Sequence, residues 1–196
     1  FLDALLAHGT TAAAVFPTVH ATSADALFAG AQQRGMRLLT GKVLMDRHAP
    51  DQLRDDVVHA QAECEALIAR WHGQGRNAYA VTPRFAATST PEQLAMAGLL
   101  LQRHEGLYMQ THVAENRAEV AWVARLFPDA RSYLDGKLAR YPLWVVDLTL
   151  LWPSESPGWK SWTFWQHSHH GRVSGIEGDV DLNVFGGTEV EFREMM

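Results

Sequence analysis

This chain of 196 residues has a single cysteine, Cys64, so no disulfide can form within it. That makes a reducing compartment, the cytoplasm, the simpler expectation. No apolar run approaches the roughly 20 residues a membrane helix requires, and the stretch from Trp144 to Trp152 is far shorter. The first residues lack the basic stretch and apolar core of a signal peptide. Cations are the minority charge, with 17 Lys and Arg against 22 Asp and Glu and a net charge of -5. Without a basic cluster, neither nucleic acid nor an anionic membrane is an expected partner, because both select clustered Lys and Arg. The chain starts at Phe1 rather than Met, which predicts a fragment of a longer reading frame. What it does have is 47% hydrophobic residues and a balanced 20% of charged ones, enough for a globular core.

Two textures follow one another along the chain. From Phe1 to Asp135, short β-rich runs alternate with helical periods, the pattern of βα units around a parallel sheet. The predicted strands are Thr10 to Phe16, Arg37 to Val43, Asn77 to Thr82 and Tyr108 to His112. Leu53, Val57, Ala60, Cys64, Leu67 and Trp71 recur at steps of three and four and predict one helix, which Gly73 and Gly75 end. Thr90-Pro91-Glu92-Gln93 predicts a capping box opening a second helix, with Leu94, Ala97 and Leu101 as its buried face. A third runs through Val120, Val123 and Phe127 to Pro128. Near Gly136 the texture changes. Five of the seven tryptophans, Trp144, Trp152, Trp159, Trp162 and Trp165, come after it, and helical periodicity stops. Short strands are predicted at Leu143 to Leu148, Thr163 to Gln166 and Val180 to Val184. The domain reading is therefore 1–135 and 136–196.

Chemistry concentrates in Gln110-Thr111-His112-Val113-Ala114-Glu115-Asn116, where an apolar strand ends in a histidine followed by a glutamate. At the C-terminal mouth of a parallel barrel, a strand-end side chain and a carboxylate on the next loop converge on one pocket. Neutral imidazole is a zinc ligand, and a nearby carboxylate can move the proton of a metal-activated water. The competing reading is a hydrogen-bonded loop histidine beside a solvated glutamate. Val81-Thr82-Pro83-Arg84-Phe85 ends the preceding strand in the same manner. Arg84 can donate paired hydrogen bonds to a planar carbonyl heterocycle and Phe85 can pack on it; otherwise they are a surface cation and a core residue.

These segments, together with Gly41-Lys42-Val43-Leu44-Met45-Asp46 and Arg117-Ala118-Glu119, resemble the guanine deaminases of the amidohydrolase superfamily over about residues 1–135. The resemblance implies a partial (β/α)8 barrel of about four βα units and zinc-dependent hydrolytic deamination of guanine to xanthine and ammonia. By the same resemblance, His112 contacts zinc and the substrate, Glu115 moves the proton, and Arg84 and Phe85 hold the base. It also implies a homodimer. The family's His-x-His metal pair would lie upstream of Phe1, and its later His and Asp beyond Asp135. The zinc site is therefore expected to be incomplete here. An unmatched barrel sheet exposes an edge strand, which predicts association or poor solubility.

The second texture resembles the C-terminal end of family 25 glycoside hydrolases, lysozymes that cleave peptidoglycan, over roughly residues 138–185. Tyr141-Pro142-Leu143-Trp144, Trp162-Thr163-Phe164-Trp165-Gln166, Gly171 to Ile176 and Val180-Asp181-Leu182-Asn183 carry it. It implies strands from a second α/β barrel, with Asp181 lining a cleft and tryptophans stacking on sugars; the alternative is that the tryptophans are core. The family's Asp-x-Glu pair is not found, so Asp181 alone predicts no glycosidase. His167-Ser168-His169-His170 offers a metal pair in His167 and His169, or else a solvated His-rich loop. Three functions follow: a guanine deaminase, incomplete in this chain; a peptidoglycan-binding or muramidase-like fragment; and an inactive chimera of two gene fragments.

Overall fold

A computed structural model describes residues 1–130, 143–148, 151–153 and 160–195. Gly136, the motif residues Tyr141 and Pro142, and Trp159 lie outside them. The chain divides into two compact units, Phe1–Leu126 and Phe127–Met196.

The first unit is an α/β layer built on parallel strands. Its helices are α1 (Leu2–Ala7), α2 (Ala21–Gln33), α3 (Val57–Trp71), α4 (Pro91–Arg103) and α5 (Arg117–Leu126). Its strands are β1 (Ala12–Val15), β2 (Arg37–Thr40), β3 (Val43–Leu44), β4 (Asn77–Pro83) and β5 (Tyr108–Met109). β1 pairs with β2, β2 and β3 with β4, and β4 with β5, all parallel. β2 and β3 meet β4 in one register, Leu38 opposite Asn77 and Val43 opposite Thr82, so they form one interrupted strand position. The predicted run from Arg37 to Val43 is thus broken at Gly41 and Lys42. Glycine is required at the break, because a Cβ on Gly41 would stand 2.0 Å from the Ala80 carbonyl oxygen. Lys42 is fully buried there, its Nζ held by Asp55 at 2.7 Å and Glu63 at 2.9 Å.

The core lies between this sheet and the helices. Phe28 of α2, Cys64, Leu67 and Trp71 of α3, and Met96 and Leu100 of α4 pack on Leu38, Tyr79 and Val81 of the strands. Phe28 stacks between Trp71 and Tyr79, with ring centroids 5.8 and 6.3 Å away. The stripe on α3 is as predicted from Val57 onward. Leu53 belongs instead to a 3-10 turn and is 37% exposed, because Asp56 caps α3 by accepting the His59 backbone N–H. Gly73 and Gly75, past the end of α3, both adopt positive φ.

Two expectations need correction. Thr90 does cap α4, accepting the Gln93 N–H at 3.2 Å, but Gln93 makes no return bond. Asp46 has taken that place, accepting the Thr90 N–H at 2.8 Å. Gln93 turns inward, and the buried face becomes Gln93, Met96, Ala97 and Leu100 rather than Leu94, Ala97 and Leu101. In α5 the buried residues are Glu119 and Val123, while Val120 is exposed. α1 and α2 lie outside the predicted helices, although Ala24, Phe28 and Ala31 of α2 carry the helical spacing of a buried face.

The second unit holds β6 (Trp144–Val146), β7 (Phe164–Gly171), β8 (Val180–Phe185) and α6 (Glu189–Met195). β6 pairs parallel with β7, and β7 antiparallel with β8. β7 runs past its predicted end at Gln166, so His167 to His170 are strand rather than loop. α6 is a further correction to the reading of this part as strands and loops.

Candidate functional site

The strand ends of the first unit carry the candidate site. His112 follows β5, and its backbone N–H donates to the Arg84 carbonyl at 2.9 Å, extending the pairing with β4 past the regular strand. Its Nδ1 lies 3.0 Å from the same oxygen. A carbonyl can only accept, so Nδ1 carries the hydrogen and, in the neutral ring, Nε2 presents a lone pair outward. The ring packs on Phe16, just beyond β1, at 4.5 Å between centroids. Arg84 is exposed, with Nη1 3.7 Å from the Met45 sulfur and its guanidinium 5.6 Å from the Phe85 ring centre. Phe85 meets Trp122 of α5 edge-on at 5.9 Å, and Trp122 in turn meets His48 at 5.2 Å.

Glu115 is reached through a tight reversal. Ala114 adopts φ 53, a left-handed conformation that costs a non-glycine residue roughly 1–2 kcal/mol. The Glu115 N–H donates to the Glu119 carboxylate at 2.9 Å, and the Glu119 N–H to the Asn116 side chain at 2.9 Å. This is a capping box displaced by one residue, and it anchors the loop while leaving the Glu115 side chain exposed. The Asn116-x-x-Glu119 spacing was the signal for it. Among the residues that sequence reasoning singled out, the structure joins His112, Arg84 and Phe85. Phe16, Met45, His48 and Trp122 complete their surroundings and were missed, because nothing local distinguishes them from core residues.

A metal does not fit these side chains alone. His112 offers one ligand, and among the described residues no group of three or more His, Cys, Asp or Glu is arranged to hold an ion. Zinc sites use three or four protein ligands. The run from Gly41 to Asp46 is structural here, with Lys42 fully buried and paired with Asp55, and Asp46 bonded to Thr90.

In the second unit, Asp181 is exposed on β8. His167 packs on Trp165 at 5.5 Å, while His169 lies against His170, which pairs with Asp179 at 2.9 Å. The register shifts in β7 at Gln166/Ser168 and Ser168/Gly171, which breaks the alternation a His167–His169 pair would need. Trp165 is 8% exposed, and its indole N–H donates to the Asp147 carbonyl at 2.9 Å. Trp152, 68% exposed, touches both Trp162 and Trp165.

Comparison with known proteins decides the family, since the model of the amidohydrolase family matches residues 1–155. The chain belongs to the amidohydrolase family. It is 50% identical over 135 residues to guanine deaminase of Escherichia coli (strain K12), an alignment covering 69% of this chain and 31% of the relative. The crystal structure of guanine deaminase from C. acetobutylicum with bound guanine superposes with a TM-score of 0.68 at 27% identity, over 74% of this chain and 36% of that one. The chain thus spans about a third of the length of the deaminases it matches. A second similarity, 44% over 54 residues, is to Lysozyme M1 of Streptomyces globisporus, covering 28% of this chain and 18% of the relative. It supports the lysozyme-like reading of the C-terminal fragment.

Proposed function

We propose that residues 1–135 are the base-binding wall of a guanine deaminase, able to recognise guanine but not to turn it over alone. The observation that carries this is the joint placement of His112, Arg84 and Phe85 at the strand ends, within a stretch half identical to the E. coli deaminase. Arg84 would donate to the purine carbonyl, Phe85 would pack on the ring with Trp122 behind it, and Glu115 would move a proton at the ring. Zinc, the metal this reading assigns to the family, would activate the hydrolytic water when bound. His112 is the ligand this reading names, and among the described residues no further His, Cys, Asp or Glu joins it in a group that could hold the ion. Equilibrium dialysis with radiolabelled guanine tests the reading: saturable binding, lost at least tenfold in Arg84→Ala, is expected. An Arg84→Ala variant that binds as well as the parent sinks it.

For the second unit a peptidoglycan-binding reading is favoured by the Lysozyme M1 similarity together with the Trp152, Trp162 and Trp165 cluster. Purified cell-wall pellets should retain the chain, and Trp162→Ala should weaken retention. The chain remaining in the supernatant would dispose of this reading and leave an inactive chimera as the account of that part.

A further inference from the structure

The segment after β3, Asp46 to His48, is laced to the 3-10 turn Ala86–Thr88 that follows Arg84 and Phe85. Three successive carbonyls of that turn are bonded from it. Arg47 Nη2 donates to the Ala86 carbonyl at 3.1 Å, His48 Nδ1 lies 2.7 Å from the Ala87 oxygen, and the Asp46 and Arg47 N–H groups reach the Thr88 carbonyl at 3.0 and 3.3 Å. A carbonyl only accepts, so His48 Nδ1 carries the hydrogen. The Thr88 N–H in turn donates to the Phe85 carbonyl at 3.1 Å, so whatever fixes the turn fixes the Phe85 backbone.

His48 holds its place at a conformational cost. Its φ is 49, a left-handed backbone that crowds the Cβ of any residue but glycine and is otherwise met most often at Asn, Asp and His. Among the described residues, the only other non-glycine residue with positive φ is Ala114, on the loop to Glu115. Such conformations persist where their surroundings dictate them, and they collect at functional sites. The His48 ring also meets Trp122 at 5.2 Å, and Trp122 meets Phe85 edge-on at 5.9 Å. Phe85 is thus held twice from His48, through the Ala87 carbonyl of its own turn and through the Trp122 ring. None of the three rings is among the buried core side chains of the unit, so core packing does not account for the arrangement.

We propose that His48 is a positioning residue for the purine site: its Nδ1–H holds the Ala87 carbonyl, and so the turn that presents Arg84 and Phe85. The proposal rests on the guanine-binding reading given above. Arg84 and Phe85 meet the base, while His48 acts through the turn. Without the donor, the carbonyl of a fully buried alanine loses its side-chain partner and the turn is free to shift, and small displacements of a binding group cost affinity out of proportion to the stability they cost.

Equilibrium dialysis of the full chain with radiolabelled guanine, beside denaturant unfolding, tests it in four variants of one position. His48→Asn keeps the left-handed preference and places Nδ2 where the histidine has Nδ1; it should bind guanine within about twofold of the parent. His48→Asp has the same shape, but its carboxylate only accepts, and His48→Gly tolerates the backbone but has no side chain. Both should bind about fivefold more weakly or worse, with the unfolding midpoint near the parent's and faster amide exchange at Thr88 and Ser89. His48→Ala should lose affinity and stability together. If the glycine variant fails to fold, the Asn and Asp pair decides. Asp and Gly variants that bind like the parent overturn the proposal and leave the guanine reading standing. An Asn variant as weak as Asp, or losses of affinity that only follow losses of stability, also overturn it. A parent chain without saturable guanine binding sinks the reading and this proposal with it.

Discussion

The two units handle their apolar residues differently. Among the described residues, Trp165 is the only buried hydrophobic side chain in the second unit, while the rest of the core belongs to the first. Yet the second unit is the one rich in tryptophan. Its Trp144 and Trp152 are 56% and 68% exposed, and its rings touch edge-on or tilted along one sheet. In the first unit, three helices lie across the sheet and bury even a lysine. Large side chains supply area, but only a second layer removes that area from water.

That contrast can be broken most directly at Gly41. Gly41→Val should cost the first unit about 4 kcal/mol or more, because its Cβ would meet the Ala80 backbone. Denaturant unfolding should show the first unit's transition lost or strongly shifted, with far less change in the second. Lys42→Ala should cost about 3–5 kcal/mol, since it leaves the buried Asp55 carboxylate without its cation; restoring stability with Asp55→Asn in the same chain would identify the pair as the cause. In the second unit, Trp165→Ala should cost about 3 kcal/mol and blue-edge tryptophan fluorescence should fall with it, whereas Trp152→Ala should barely move the midpoint.

Smaller effects test the same division through pH and capping. Burial pushes the Cys64 thiol up to about 11, with the Tyr79 hydroxyl beside it. It should resist Ellman's reagent at pH 8 in the folded chain and react on unfolding. Because the folded value is raised, the associated stability is complete below the ordinary thiol value of 9.0 and is lost as pH rises through about 11. The first unit should therefore weaken over that window, and Cys64→Ala should flatten the slope. Thr90→Ala should cost about 1 kcal/mol through the lost cap of α4.

The sequence alone determined the parallel strand series, the stripe on α3, the cap of α4 and the residue types at the strand ends. These follow from local rules: apolar period, glycine stops, and a Thr-Pro start are written in neighbouring positions. The break at Gly41 was not legible, because the clash comes from Ala80, far along the chain. Nor was the rotation of α4, which turns on Asp46 taking the Thr90 N–H. The candidate site shows the same division. His112, Arg84 and Phe85 stand out by residue type at strand ends, while Phe16, Met45 and Trp122 become neighbours only when the strands are laid side by side. Sequence determined which chemistry this chain carries; the tertiary structure decided how much of it assembles, because a site at a barrel mouth draws on several strands and its wall has only four strand positions among the described residues.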